Sequence, residues 1–165
     1  MLIGDILFST AGAWDKNYRE RSPVIGTIAE TNEYLREGQV AVFHHNNFYL
    51  PSPYHLYDDL FSVPMGKTIF GTLDVDGNIS PTFGNLICER IELESTLLLP
   101  SEEKLYYIDR YLVWDGGWTM FKKGDLVFTR PHSGYEIVYI WGNIEKRVVK
   151  VDSEMVCGVA KAPKK

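Results

Sequence analysis

The chain has 165 residues, 45% of them hydrophobic and 24% charged, the mix of a packed globular core, which argues against disorder over any large fraction. Seventeen basic against 22 acidic residues leave a net charge of −5; the first 80 residues carry 5 basic and 10 acidic, the remainder 12 and 12. With positive charge gathered only in the tail (Lys161, Lys164, Lys165), neither half offers the basic face that phosphate binding needs.

No apolar run approaches the length of a membrane span. The opening Met1–Thr10 stretch lacks a basic leader and meets Asp5, so it does not read as a signal peptide. Aromatics make up 13% of the chain, and with 14 Gly and 8 Pro the composition leans toward strands and turns. In chain order the predicted strands are 5–9, 24–29, 39–43, 67–73, 85–91, 111–114, 125–129, 136–140 and 147–151, each short and rich in β-branched or aromatic residues. Asn32–Glu37 reads as a turn and Ser101–Ile108 as a short helix. No window holds a 3.6-residue period beyond about ten residues. Asp76-Gly77-Asn78 and Asp115-Gly116-Gly117 are turn chemistry. The expectation is an all-β chain. Cys88 and Cys157 lie in apolar segments and are expected to be buried, reduced thiols of a cytoplasmic protein.

Sliding the sequence against itself gives three matches in the same order. Leu35-Arg-Glu-Gly-Gln-Val-Ala-Val-Phe lies over Phe121-Lys-Lys-Gly-Asp-Leu-Val-Phe at an offset of 86. Val63 and Phe70-Gly71-Thr72 lie over Val151 and Cys157-Gly158-Val159 at offsets of 88 and 87. Gly4-Asp-Ile-Leu-Phe lies over Gly84-Asn-Leu-Ile-Cys at an offset of 80. An internal duplication explains this, with extra residues between the first and second strands of the second copy. The boundary is expected in the turn-rich stretch Asp74–Pro81, giving units 1–76 and 77–165 with a longer loop at 92–106. Gly38 and Gly124 should then occupy equivalent turns, with Val40 and Leu126 facing inward.

The ordered set Asn85-Leu-Ile-Cys-Glu-Arg-Ile-Glu, Ser95-Thr-Leu-Leu-Leu-Pro, Tyr111-Leu-Val-Trp, Lys122-Lys-Gly-Asp-Leu-Val-Phe and Arg147-Val-Val-Lys-Val-Asp-Ser-Glu-Met-Val-Cys-Gly-Val resembles the GroES-type co-chaperonin family over residues 81–160. Residues 1–74 look like a second, degenerate copy. The resemblance implies two tandem, small, partly open GroES-like β-barrels that assemble into a homo-oligomeric ring. It implies that the loop carrying Leu97, Leu98, Leu99 and Pro100 docks on a chaperonin and caps its folding chamber. No cofactor, nucleic acid or membrane is expected, and any ATP hydrolysis would belong to the partner. The loop Leu93–Pro100 has no Gly, unlike the family's, and the first copy has Ser9–Tyr18 there, with no aliphatic triplet. Those two features favour the alternative, a structural subunit of an oligomeric assembly such as a phage particle.

Other constellations carry less. His44, His45 and His55, with Asp58 and Asp59, invite a metal, but adjacent His residues in a strand point to opposite faces and the spacing matches no zinc pattern. Phe48–Tyr57 is an aromatic, Pro-rich insertion suited to packing locally or on a neighbouring subunit. Met65-Gly66-Lys67-Thr68 ends like a phosphate-binding loop, yet position 61, where the motif needs Gly, is Phe. Nothing in the sequence joins a nucleophile to a base, so the chain does not read as an enzyme. A small esterase or metal-binding β protein is the third reading.

Overall fold

The computed structural model describes residues 5–9, 23–44, 54–57, 60–91 and 108–161. The described residues form two antiparallel sheets and no α-helix; Ser153–Met155 makes a single 3-10 turn. The strands are β1 (Asp5–Ser9), β2 (Val24–Ile28), β3 (Val40–Phe43), β4 (His55–Tyr57), β5 (Leu60–Pro64), β6 (Ile69–Leu73), β7 (Ile79–Pro81), β8 (Asn85–Arg90), β9 (Asp109–Asp115), β10 (Leu126–Thr129), β11 (Gly134–Trp141), β12 (Ile144–Asp152) and β13 (Val156–Ala160). The first sheet runs β4-β5-β1-β2-β3-β6-β7 and the second β11-β12-β8-β9-β10-β13. Neither closes on itself among the described residues, so the all-β class holds without a closed barrel. The 101–107 part of the expected helix lies outside the described residues.

Apart from β7, the two strand orders are the same, and the registers agree residue by residue. Phe8 opposes Ile28 as Cys88 opposes Val113, and Val24 opposes Phe43 as Asp109 opposes Thr129. Val42 opposes Gly71 as Phe128 opposes Gly158, with an irregularity at the next residue in both sheets. Ile6 opposes Val63 as Leu86 opposes Val151. The turns before β3 and β10 share their bonds as well. Gly38 N–H donates to Ile28 O and Gly124 N–H to Val113 O, each at 2.8 Å. Arg36 N–H donates to Gln39 Oε1 at 2.8 Å, and Lys122 N–H to Asp125 Oδ2 at 2.9 Å. The two glycines have φ of +86° and +93°, a left-handed conformation that explains why the turn needs Gly in both places.

The pleat decides what each strand buries. In β3, Ala41 and Phe43 enter the core of the first sheet with Val24, Ile28 and Ile69. Val42, on the opposite face, enters a second cluster with Phe70, Ile79, Ile87, Ile137 and Tyr139, which joins the two sheets. A third cluster, with Leu86, Cys88, Tyr111, Val113, Val127 and Val151, is the core of the second sheet. Val40 and Leu126 are each half-buried; the fully buried neighbours are Ala41 and Val127, so the inward positions lie one residue later than expected. The cysteines also part company. Cys88 is buried, but Cys157 is exposed on β13, which among the described residues pairs with β10 alone.

Candidate functional site

The loop singled out in the sequence begins and ends on neighbouring strands. β8 and β9 pair antiparallel, and just beyond the ladder Ile91 N–H donates to Arg110 O at 2.9 Å. The connection between them is residues 92–107, which lies outside the described residues, and Leu97, Leu98, Leu99 and Pro100 lie with it. Its base is described and is held by a polar clamp. Asp109 accepts from the Arg90 guanidinium at 3.2 Å, from the Tyr111 hydroxyl at 3.2 Å and from the His132 backbone N–H at 2.8 Å. Trp114 Nε1 donates to Glu89 Oε2 across the same pair of strands at 3.3 Å. Arg90 is more than half exposed, so the ion pair itself contributes about 0–1 kcal/mol. Burial, followed by the nearby Asp109 carboxylate, pushes the Tyr111 phenol up to about 12, so it remains a neutral donor at ordinary pH. The clamp ties the end of β8 to the start of β9 and to the turn before β11.

The second assembled region is the junction between the sheets. β7 adds to the outer edge of β6, with Gly71 opposite Pro81 and Leu73 opposite Ile79. The long hairpin β11–β12 lies over the turn that joins β6 to β7. There Tyr139 OH donates to Gly77 O at 2.6 Å, Trp141 Nε1 to Val75 O at 3.2 Å and Lys146 Nζ to Asn78 Oδ1 at 3.1 Å. The buried Asn85 amide donates to Lys67 O, Ile69 O and Thr82 O at 3.1, 2.9 and 3.1 Å, and its Oδ1 has no hydrogen-bond partner among the described residues. Lys67 pairs with Asp152 at 3.1 Å and with Glu154, chiefly the latter raising its pKa above the usual lysine value. Lys150 sits 4.8 Å from the centre of the Phe70 ring, and burial lowers its pKa. Outside these contacts, Tyr34, Phe83 and Trp118 stack with ring centres 5.1–6.0 Å apart. Phe83 has φ of +54°, unusual for a non-glycine residue, at the entry to β8.

The remaining sequence candidates are dispersed. His44 meets the edge of Phe70 at 5.7 Å and the ring of Tyr135 at 5.2 Å, within the junction. His55 lies on Phe61 at 5.0 Å in the first sheet. His45, Asp58 and Asp59 fall outside the described residues. Among the described residues no three His, Cys, Asp or Glu side chains gather as a metal site. Sequence reasoning passed over Asn85 and the Tyr34–Phe83–Trp118 cluster. The signal for Asn85 was an amide directly ahead of the apolar run Leu86-Ile87-Cys88; nothing in the spacing of 34, 83 and 118 marks them as neighbours.

Compared with protein-family models, with curated proteins and with solved structures, the chain gives no match.

Proposed function

We propose that the protein is a non-enzymatic, ring-forming assembly protein of the GroES type, two small partly open barrels in tandem. In this reading it caps a chaperonin folding chamber through Leu97, Leu98 and Leu99. The observation that carries the reading is the clamped base at which the 92–107 connection begins and ends, a connection whose sequence holds the aliphatic triplet, on a unit whose strand order occurs twice in the chain. Three leucines entering an apolar groove each contribute about 1.5–3 kcal/mol, opposed by the entropy of ordering the loop, which keeps docking reversible. Such a protein works in the cytoplasm, with chaperonin and further copies of itself as partners.

The test is the triple change Leu97→Ser, Leu98→Ser, Leu99→Ser, assayed for thermal stability and for chaperonin binding. Loss of binding by orders of magnitude with an unchanged melting temperature is expected. A grossly destabilised variant would show the leucines to be core and overturn the reading.

A second reading, a structural subunit of an assembly such as a virion, is favoured by the first unit. Its β1–β2 connection (residues 10–23) carries no aliphatic triplet. A wild-type protein that assembles but never binds a chaperonin would decide for it.

A further inference from the structure

The junction inside the chain is heterologous, because each unit contributes a different face. The first unit offers Ile25, Val42, Phe70 and Leu73 from β2, β3 and β6. The second offers Ile79, Ile87, Ile137, Tyr139 and Val148 from β7, β8, β11 and β12. Since both units share one set of registers, each also carries a version of the face that the other uses, except that β7 has no counterpart among the described residues.

In the second unit the registers place Arg110, Phe128, Cys157 and Ala160 where the first has Ile25, Val42, Phe70 and Leu73. Val42 and Phe70 are fully buried, whereas Phe128 is half-buried and Cys157 and Ala160 are exposed. Arg110 reaches over the Phe128 ring at 5.8 Å, masking part of it. The outer edge of β6 is occupied by β7, whereas among the described residues no strand pairs with the outer edge of β13. Met120, counterpart of Tyr34 at the offset of 86, is 77% exposed, while Tyr34 stacks on Phe83 and Trp118. In the first unit, Tyr57 and Leu60 stand where the second has Ile137 and Val148. Tyr57 is 64% exposed and Ile137 is fully buried.

We propose that the face of the second unit around Phe128 and Cys157 binds the face of the first unit around Tyr57 and Leu60 on a second copy of this chain, repeating between molecules the junction within each. This deepens the assembly half of the function proposed above and does not depend on chaperonin docking. The occupant is a copy of the chain because the complementary face is already present on it, at the strand positions that serve the internal junction. Such a contact is head-to-tail, so it closes into a ring or continues as a filament. Arg110 and Ala160 make the open face less apolar than its buried counterpart. The contact between copies is therefore weaker than the internal one and reverses on dilution.

The experiment uses the full chain without chaperonin. Sedimentation across the micromolar range is run beside maleimide labelling of Cys157, with Cys88 shielded by burial. Concentration-dependent growth in mass, with Cys157 protected in step, is expected. Tyr57→Asp and Phe128→Asp should each weaken self-association at least about tenfold. Mixed one-to-one, they should form a dimer, since each retains the face that the other has lost. A wild type that stays monomeric overturns the proposal. So does a Tyr57→Asp variant that associates like wild type, which would indicate a symmetric contact between second units. Circular dichroism checks folding; should Phe128→Asp not fold, Ala160→Asp on the exposed edge of the same face replaces it, with the same expectations. The triple leucine variant should assemble as wild type does, so failure of chaperonin docking and failure of this contact are read separately.

Discussion

β6 and β13 hold the same place in their units and lead different lives. β6 pairs with β3 and β13 with β10 in the same register, and both carry an irregularity at the same point. β6 is then covered by β7 and by the β11–β12 hairpin, and Phe70 is shut into a core. Among the described residues β13 ends its sheet, and Cys157, the residue at Phe70's place, is exposed. The difference shows that burial here comes from what the neighbouring unit supplies, since the local fold of the two strands is the same.

The most severe test of that comparison is truncation at the two equivalent positions. Phe70→Ala should cost about 3–5 kcal/mol in urea unfolding, and Cys157→Ala within about 0.5 kcal/mol. Equal effects would show that the two strands are equally buried in solution.

Adding a single methyl group sharpens the contrast. A Cβ at Gly71 would stand 2.4 Å from Ser80 O, while one at Gly158 would touch only the Phe128 side chain at 3.6 Å. Gly71→Ala should therefore lose about 1–3 kcal/mol and Gly158→Ala almost nothing, both read from denaturation midpoints. Asn85→Ala, which strands the Lys67 carbonyl of the first unit, belongs in the same range of about 1–3 kcal/mol. Its mark should be faster hydrogen exchange at β6 and β7 than at β9 and β10.

The effect that is smallest near neutrality, and grows only in alkali, is in pH. Burial pushes the Cys88 thiol up to about 12 from an ordinary 9.0, and the Tyr111 phenol to about 12 from 10.0. The folded state thus holds these protons more tightly than the unfolded state does. Their contribution is complete below the unfolded pKa values and is lost as pH rises from about 9 toward 12. Urea midpoints measured from pH 8 upward should fall, and Cys88→Ala should flatten the first part of that decline.

Much of the strand pattern was legible because β-branched and aromatic runs between Gly, Asn and Asp leave few alternatives. The offsets of 80, 86 and 87–88 read from the sequence are those by which β1, β3, β6 and β5 correspond to β8, β10, β13 and β12, while β2 and β9 correspond at 85. β4, β5, β7 and β13 went unseen: β4 and β7 have three residues and carry no period, and the five-residue β5 and β13 are interrupted by Ser62 and Gly158. Nor could Val40-Ala-Val-Phe be told from Leu126-Val-Phe-Thr. Both are apolar runs, and only the arrival of the second unit makes the first bury both of its faces. The clamp at Asp109 was hidden for a related reason. It gathers residues 90, 109, 111 and 132, whose neighbourhood depends on strand pairing and on the turn before β11.

The short turn between β6 and β7 has a consequence for how many encounters an assembly requires. Residues 74–78 are bound up by Asp74, whose carboxylate accepts from the backbone N–H of Asp76 and of Asn78, both at 2.9 Å. A linker this short holds the second unit beside the first at an effective concentration of millimolar order or above, far beyond that of a free protein in solution. Every second junction of a closed ring is then made before two molecules meet. Such a ring needs half as many bimolecular contacts as one built from single units, and weak contacts between copies suffice to close it.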